Sequence, residues 1–179
     1  MKNRKGIYYI GENKEYRDKM VAFFDYYEDY NSITLYMNYS ESEINYIFNN
    51  SVIKDLMKIG IKKGRYLSIG LFPNQNDEEL FIKKNLSVSH INDHGYQKFL
   101  YIKIEDSVID FLEKASMDDS GKIRWFSYRF CDDVKGNSSI IDIEHCGEEC
   151  HLKVGKYFSY DDFLKILFDN DLELGKFVL

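Results

Sequence analysis

The chain has 179 residues, with 24 basic and 30 acidic side chains and a formal net charge of −6. That length suits one domain with its own core, and 44% hydrophobic with 30% charged residues excludes a disordered chain. No apolar run approaches the roughly 18 residues of a transmembrane helix.

Ile7 to Ile10 reads as a short opening strand ended by Gly11. This apolar stretch after the basic Met1-Lys2-Asn3-Arg4-Lys5 is too brief for a signal peptide, so the expected location is the cytoplasm, with no membrane contact. Tyr16, Met20, Phe23, Phe24 and Tyr27 recur at helical spacing and predict a helix from Glu15 to about Tyr30. Ser32–Asn38 alternates and is rich in β-formers, which predicts a strand. Ser40 with Glu43 forms a capping box opening a helix, and Asn49-Asn50-Ser51 is expected to break it before a second helical stretch ending at Gly60. Tyr66–Phe72 reads as a strand stopped by Pro73 and a polar turn, Asn74 to Asp77.

The second half is more regular. Phe99–Ile104 predicts a strand, and Asp106–Ala115 a helix with Val108, Ile109, Phe111 and Leu112 inward. Ile123–Phe130 predicts another strand, and Ser139–His145 with Cys150–Lys156 a hairpin. Ser159 with Asp162 caps a final helix bearing Phe163, Leu164, Ile166, Leu167 and Phe168. Without a steady strand–helix–strand rhythm, the expected fold is a single α+β domain spanning residues 1–179. It has a mostly antiparallel sheet with three to four helices packed on it.

Charge is unevenly placed. Residues 1–65 carry 11 basic and 9 acidic groups and residues 66–104 four of each, whereas residues 105–179 carry 9 basic and 17 acidic groups. Such a field attracts a basic partner and speeds encounter, and it disfavours direct nucleic-acid binding, which needs a basic surface.

One segment resembles metal chemistry: His145-Cys146-Gly147-Glu148-Glu149-Cys150-His151 puts four soft ligands within seven residues. A hairpin with a two-residue turn at Gly147-Glu148 pairs Ile143 with Leu152, Ile141 with Val154 and Asp142 with Lys153. Cys150 and His145 then lie on the apolar face, and Cys146 and His151 on the polar face. A four-residue turn gives the same division, so the four groups do not converge. His90 and His94 have i, i+4 spacing, but Asn92-Asp93 before Gly95 reads as a turn rather than a helix. Metal and cofactor are therefore not expected. The alternative, a small metal-dependent hydrolase, would use His90, His94, His145, Cys146, Cys150 and His151.

Three cysteines make no disulfide framework, and Cys131 beside Asp132-Asp133 lacks the cationic setting of a reactive thiol. No phosphate-binding glycine loop and no nucleophile elbow is present. The reading leans away from an enzyme and toward a cytoplasmic protein-binding module, in concrete form an immunity- or antitoxin-type inhibitor of a basic partner such as a nuclease toxin. The expected contacts are Asp132, Asp133, Glu148, Glu149, Asp161 and Asp162, with Trp125, Tyr128 and Tyr160 as aromatic anchors.

Overall fold

Extended runs rich in Ile, Val, Tyr and Phe pair into one sheet, and the amphipathic segments between them form helices that cover one of its faces. The computed structural model describes residues 6–11, 20–27, 30–37, 43–118, 123–134, 139–145, 149–154 and 158–174. In chain order the elements are β1 (Gly6–Gly11), β2 (Met20–Tyr27), β3 (Tyr30–Met37), α1 (Glu43–Lys63), β4 (Tyr66–Leu71), α2 (Asn76–Asn85) and β5 (Val88–Asp93). They continue with β6 (Lys98–Lys103), α3 (Asp106–Ala115), β7 (Ser127–Cys131), β8 (Ser139–Glu144), β9 (Glu149–Val154), α4 (Tyr160–Asp169) and β10 (Glu173–Leu174). The sheet order is β10-β1-β2-β3-β9-β8-β7-β4-β6-β5, and every neighbouring pair among the described residues is antiparallel.

The core lies between sheet and helices. Leu67 and Ile69 of β4, Leu100 and Ile102 of β6, Tyr128 and Phe130 of β7, Ile141 and Ile143 of β8, and Cys150 and Leu152 of β9 are all buried. Register places them in line across the sheet, as a strand period of two requires. Against them pack Val52, Ile53, Leu56 and Met57 of α1, Phe111 and Leu112 of α3, and Phe163, Ile166 and Leu167 of α4. Gly60 of α1 lies against the Phe130 ring so closely that a Cβ there would overlap it.

The α+β class, the helix over Asp106–Ala115, the last helix and the hairpin match the sequence expectations. Ser159 caps α4, its hydroxyl accepting from the Asp162 N–H at 3.0 Å while the Asp162 carboxylate accepts from the Ser159 N–H at 2.8 Å. Four expectations are corrected. Residues 20–27 form a strand, because a run this dense in aromatic and β-branched residues gains more by pairing on both sides with β1 and β3 than by exposing half its surface on a helix. The helix does not break at Asn49-Asn50-Ser51; α1 runs continuously over 21 residues, since burial of Val52 to Met57 outweighs weak local propensity. Pro73 and Asn74 do turn, the Gln75 N–H bonding to the Phe72 carbonyl at 3.0 Å, but Asn76 and Asp77, read as part of that turn, open α2, whose first turn is acidic and last turn basic in keeping with the helix dipole. His90 and Asn92 lie on β5 rather than in a loop.

Candidate functional site

On β7, Tyr128 and Phe130 go into the core, so the residue between them goes to the face without helices. That residue is Arg129. In register it stands between Ser68 of β4 and Asp142 of β8, and Asp142 in turn stands opposite His151 of β9. The guanidinium donates from Nε to Asp142 Oδ1 at 3.1 Å and from Nη2 to Glu144 Oε1 at 3.1 Å, and lies 5.8 Å from the Phe99 ring centre. The Ser139 hydroxyl also donates to Asp142.

One strand further, Glu149 lies directly opposite Glu144. Its carboxylate is 3.1 Å from His151 Nε2 and 3.9 Å from His145 Nε2. His145, at the start of the turn with φ +50°, sets its ring 5.1 Å from Phe126, which stacks edge-on with Phe72 at 4.7 Å. Phe72 is 44% exposed. Three carboxylates from β8 and β9 thus share one face, two of them on the Arg129 guanidinium and the third against His145 and His151, with an aromatic pair at one border.

Burial pushes the Asp142 carboxyl above its usual range, and the opposing pull of Arg129 does not cancel it. Burial pulls the Arg129 guanidinium down, but Asp142 and Glu144 outweigh it and the net direction is upward. Burial raises the Cys131 thiol to about 12 and raises Cys150 further still, so neither is a nucleophile near neutral pH. The arrangement suits recognition of cationic groups: Glu144 and Glu149 are held in place, partly exposed, by Arg129 and His151.

The residues expected to bind a partner do not form one patch. Trp125 and Tyr128 are fully buried. Trp125 stacks on Phe111 at 5.5 Å and donates to Glu78 at 2.6 Å, and the Tyr128 hydroxyl donates to the Ser116 carbonyl at 2.9 Å. Neither is available as a surface anchor, because apolar area of that size is worth more in the core. Asp132 and Asp133 follow β7 at the end of the sheet where Arg65 bonds to Cys131. Asp161 and Asp162 open α4 at the same end, near Lys62 and Lys63, so this end is of mixed charge. Glu149 lies at the other end of β8 and β9, about 17 Å away for strands of this length. Glu148 and the side chain of Tyr160 lie outside the described residues.

Of the possible metal ligands, His145 and His151 meet at the Glu149 carboxylate, so the exposed His145 does not join Cys150 on the apolar face as expected; the others are apart. The hairpin has a four-residue turn, with Ile143 opposite Cys150 and Glu144 opposite Glu149. Compared with a two-residue turn this shifts the register by two, which keeps the division of faces: Cys150 is buried in the core and His151 is on the opposite face. His90 sits on β5 and His94 just beyond it, with four strands between β5 and β9, or about 24 Å. Cys146 lies outside the described residues. Among the described residues no three His, Cys, Asp or Glu side chains are grouped to hold a metal ion.

Sequence reasoning passed over Arg129, Asp142, Glu144, Phe72 and Phe126. The signal for the first two was a charge flanked by apolar residues in each strand, Tyr128-Arg129-Phe130 and Ile141-Asp142-Ile143, opposite in sign. No helix of the described residues is long and apolar enough to cross a membrane. The chain matches no protein-family model, no curated protein and no solved structure.

Proposed function

We propose that this chain is an acidic protein-binding module that captures a basic protein partner through the β7–β8–β9 face. In its concrete form it would be an immunity- or antitoxin-type inhibitor of a nuclease toxin, acting in the cytoplasm. The observation that supports this reading is the gathering of Asp142, Glu144 and Glu149 on one face beside the Phe72–Phe126 pair, of which Phe72 is exposed. Acidic groups of this kind steer a basic protein into contact, and an exposed aromatic beside them supplies apolar area for a stable complex. Arg129 and His151 hold the carboxylates in fixed positions, which lowers the ordering cost on binding.

The test is affinity capture at low ionic strength with two baits, the wild-type chain and the double reversal Glu144→Lys/Glu149→Lys. A basic protein held by the first, released by salt and bound at least about tenfold more weakly by the second supports the proposal. Equal capture by both baits would place the interface elsewhere.

A further inference from the structure

On the side of the sheet away from Arg129, α1 and α3 leave a cavity of about 300 Å³ between them, lined by Met57 and Ile61 of the first and Ile109 and Leu112 of the second. The Ile104 N–H, just ahead of α3, donates to the Arg65 carbonyl, just past α1, at 2.9 Å. The end of α1 thus meets the start of α3 and the two helices run antiparallel, which sets Ile61 level with Ile109 and Lys54 level with Ser116. Met57 and Leu112, 4% and 2% exposed, form an apolar floor. The polar groups of the lining stand at the Lys54 end and on the rim. Ser116 is only 5% exposed, and among the described residues its hydroxyl has no hydrogen-bond partner. A buried hydroxyl left in that state is destabilising unless something in the cavity bonds to it. Lys54 is exposed and, among the described residues, in no ion pair, whereas Lys58 one turn on is held by Asp55 at 2.7 Å. Glu113 is also exposed and unpaired among the described residues. It stands one turn before Ser116 on the same helix face, about 5–6 Å away between Cβ atoms.

We propose that this cavity binds a free α-amino acid with a large aliphatic side chain. Its carboxylate accepts from the Lys54 ammonium and the Ser116 hydroxyl, and its ammonium donates to Glu113. Its side chain lies on Met57 and Leu112 and points toward Ile61 and Ile109. Charge complementarity selects this ligand among amphipathic molecules. A fatty acid would set its carboxylate near that of Glu113, and an alkylamine would leave Lys54 and Ser116 without an acceptor. An α-amino acid carries both charges on one carbon, which suits an anion site and a cation site one helical turn apart. The volume is at the lower end of ligand pockets, in keeping with a ligand this small. The cavity and the β7–β9 face lie on opposite sides of the sheet, so neither reading depends on the other.

The probe is L-leucine, titrated into the chain with labelled isoleucine methyl groups and followed by nuclear magnetic resonance. Isocaproate, which is leucine without its ammonium, and isopentylamine, which is leucine without its carboxylate, are titrated beside it. Leucine should saturate with a dissociation constant below about 1 mM and shift the Ile61 and Ile109 methyl signals. Both analogues should bind at least about tenfold more weakly, each having lost a charge-assisted contact. Glu113→Gln should weaken leucine at least about tenfold and leave isocaproate bound no more weakly than before. Lys54→Met should weaken leucine and isocaproate alike and leave isopentylamine unchanged. Both side chains are exposed, so neither substitution enters the core. Unmoved Ile61 and Ile109 signals at about 10 mM leucine would overturn the proposal. So would isocaproate binding as tightly as leucine, or leucine binding to the Glu113→Gln chain as it does to wild type.

Discussion

Arg129 places one positive charge on the helix-free face of a strand whose neighbours Tyr128 and Phe130 are wholly buried. Its two carboxylate partners keep only 16% and 26% of their side-chain exposure, so removing the guanidinium leaves them with little water to replace it. Arg129→Met is expected to cost about 1–3 kcal/mol in urea denaturation, less than for a fully buried pair because Arg129 itself keeps 28% exposure. Asp142 has the opposite sign of effect. Burial raises its folded-state pKa, so its contribution is present in full below the unfolded carboxyl value of about 3.9 and is lost as pH rises through the folded value. Asp142→Asn should therefore be at least as stable as wild type at pH 7, with the difference closing on acidification toward about pH 4. Denaturation at the two pH values checks this, and a less stable variant at neutral pH would contradict it.

At the scale of elements, legibility followed how far local and tertiary preferences agreed. In α3, Val108, Phe111, Leu112 and Ala115 fall on one side and are buried, and in α4 the cap and the apolar face coincide, although Leu164 and Phe168 face outward. β2 could not be read, because its aromatics fit a helical period as well as a strand, and only the partners on both sides decide. The same tertiary dependence makes Gly60 informative. Alanine gains about 1 kcal/mol in helix propensity, but its Cβ would overlap the Phe130 ring, which the core cannot move. Overpacking of this kind costs about 1–3 kcal/mol, so Gly60→Ala should lower stability, and adding Phe130→Leu should recover part of the loss. The α4 cap gives a pH-dependent prediction. The Ser159 backbone and hydroxyl hold the Asp162 carboxyl below its usual range. Its stabilisation is present above the unfolded value of about 3.9 and fades as pH falls through the folded value. Ser159→Ala should cost about 1 kcal/mol at pH 7 and less in acid, read from melting at both pH values.

Across the whole molecule, acids that cluster in the sequence separate in space. Asp132-Asp133 and Asp161-Asp162 lie at the end of the sheet shared with Lys62 and Lys63, while Glu149 meets Glu144 and Asp142 near the other end of the hairpin. The sequence therefore showed that the C-terminal part was acidic, but only strand register showed which carboxylates share a face. Among the described residues, Glu149 was the one expected contact found in the β7–β9 group. Trp125 and Tyr128 were misplaced as anchors because tryptophan and tyrosine serve a core as readily as an interface. The central claim is that this face receives a basic partner, and the most direct measurement is amide hydrogen exchange of the chain with and without the protein it captures. The account predicts slowed exchange over Ser127–Cys131, residues 139–145 and 149–153, with α2 and α3 unchanged. Protection confined to the helical side, or absent from β8 and β9, would contradict it.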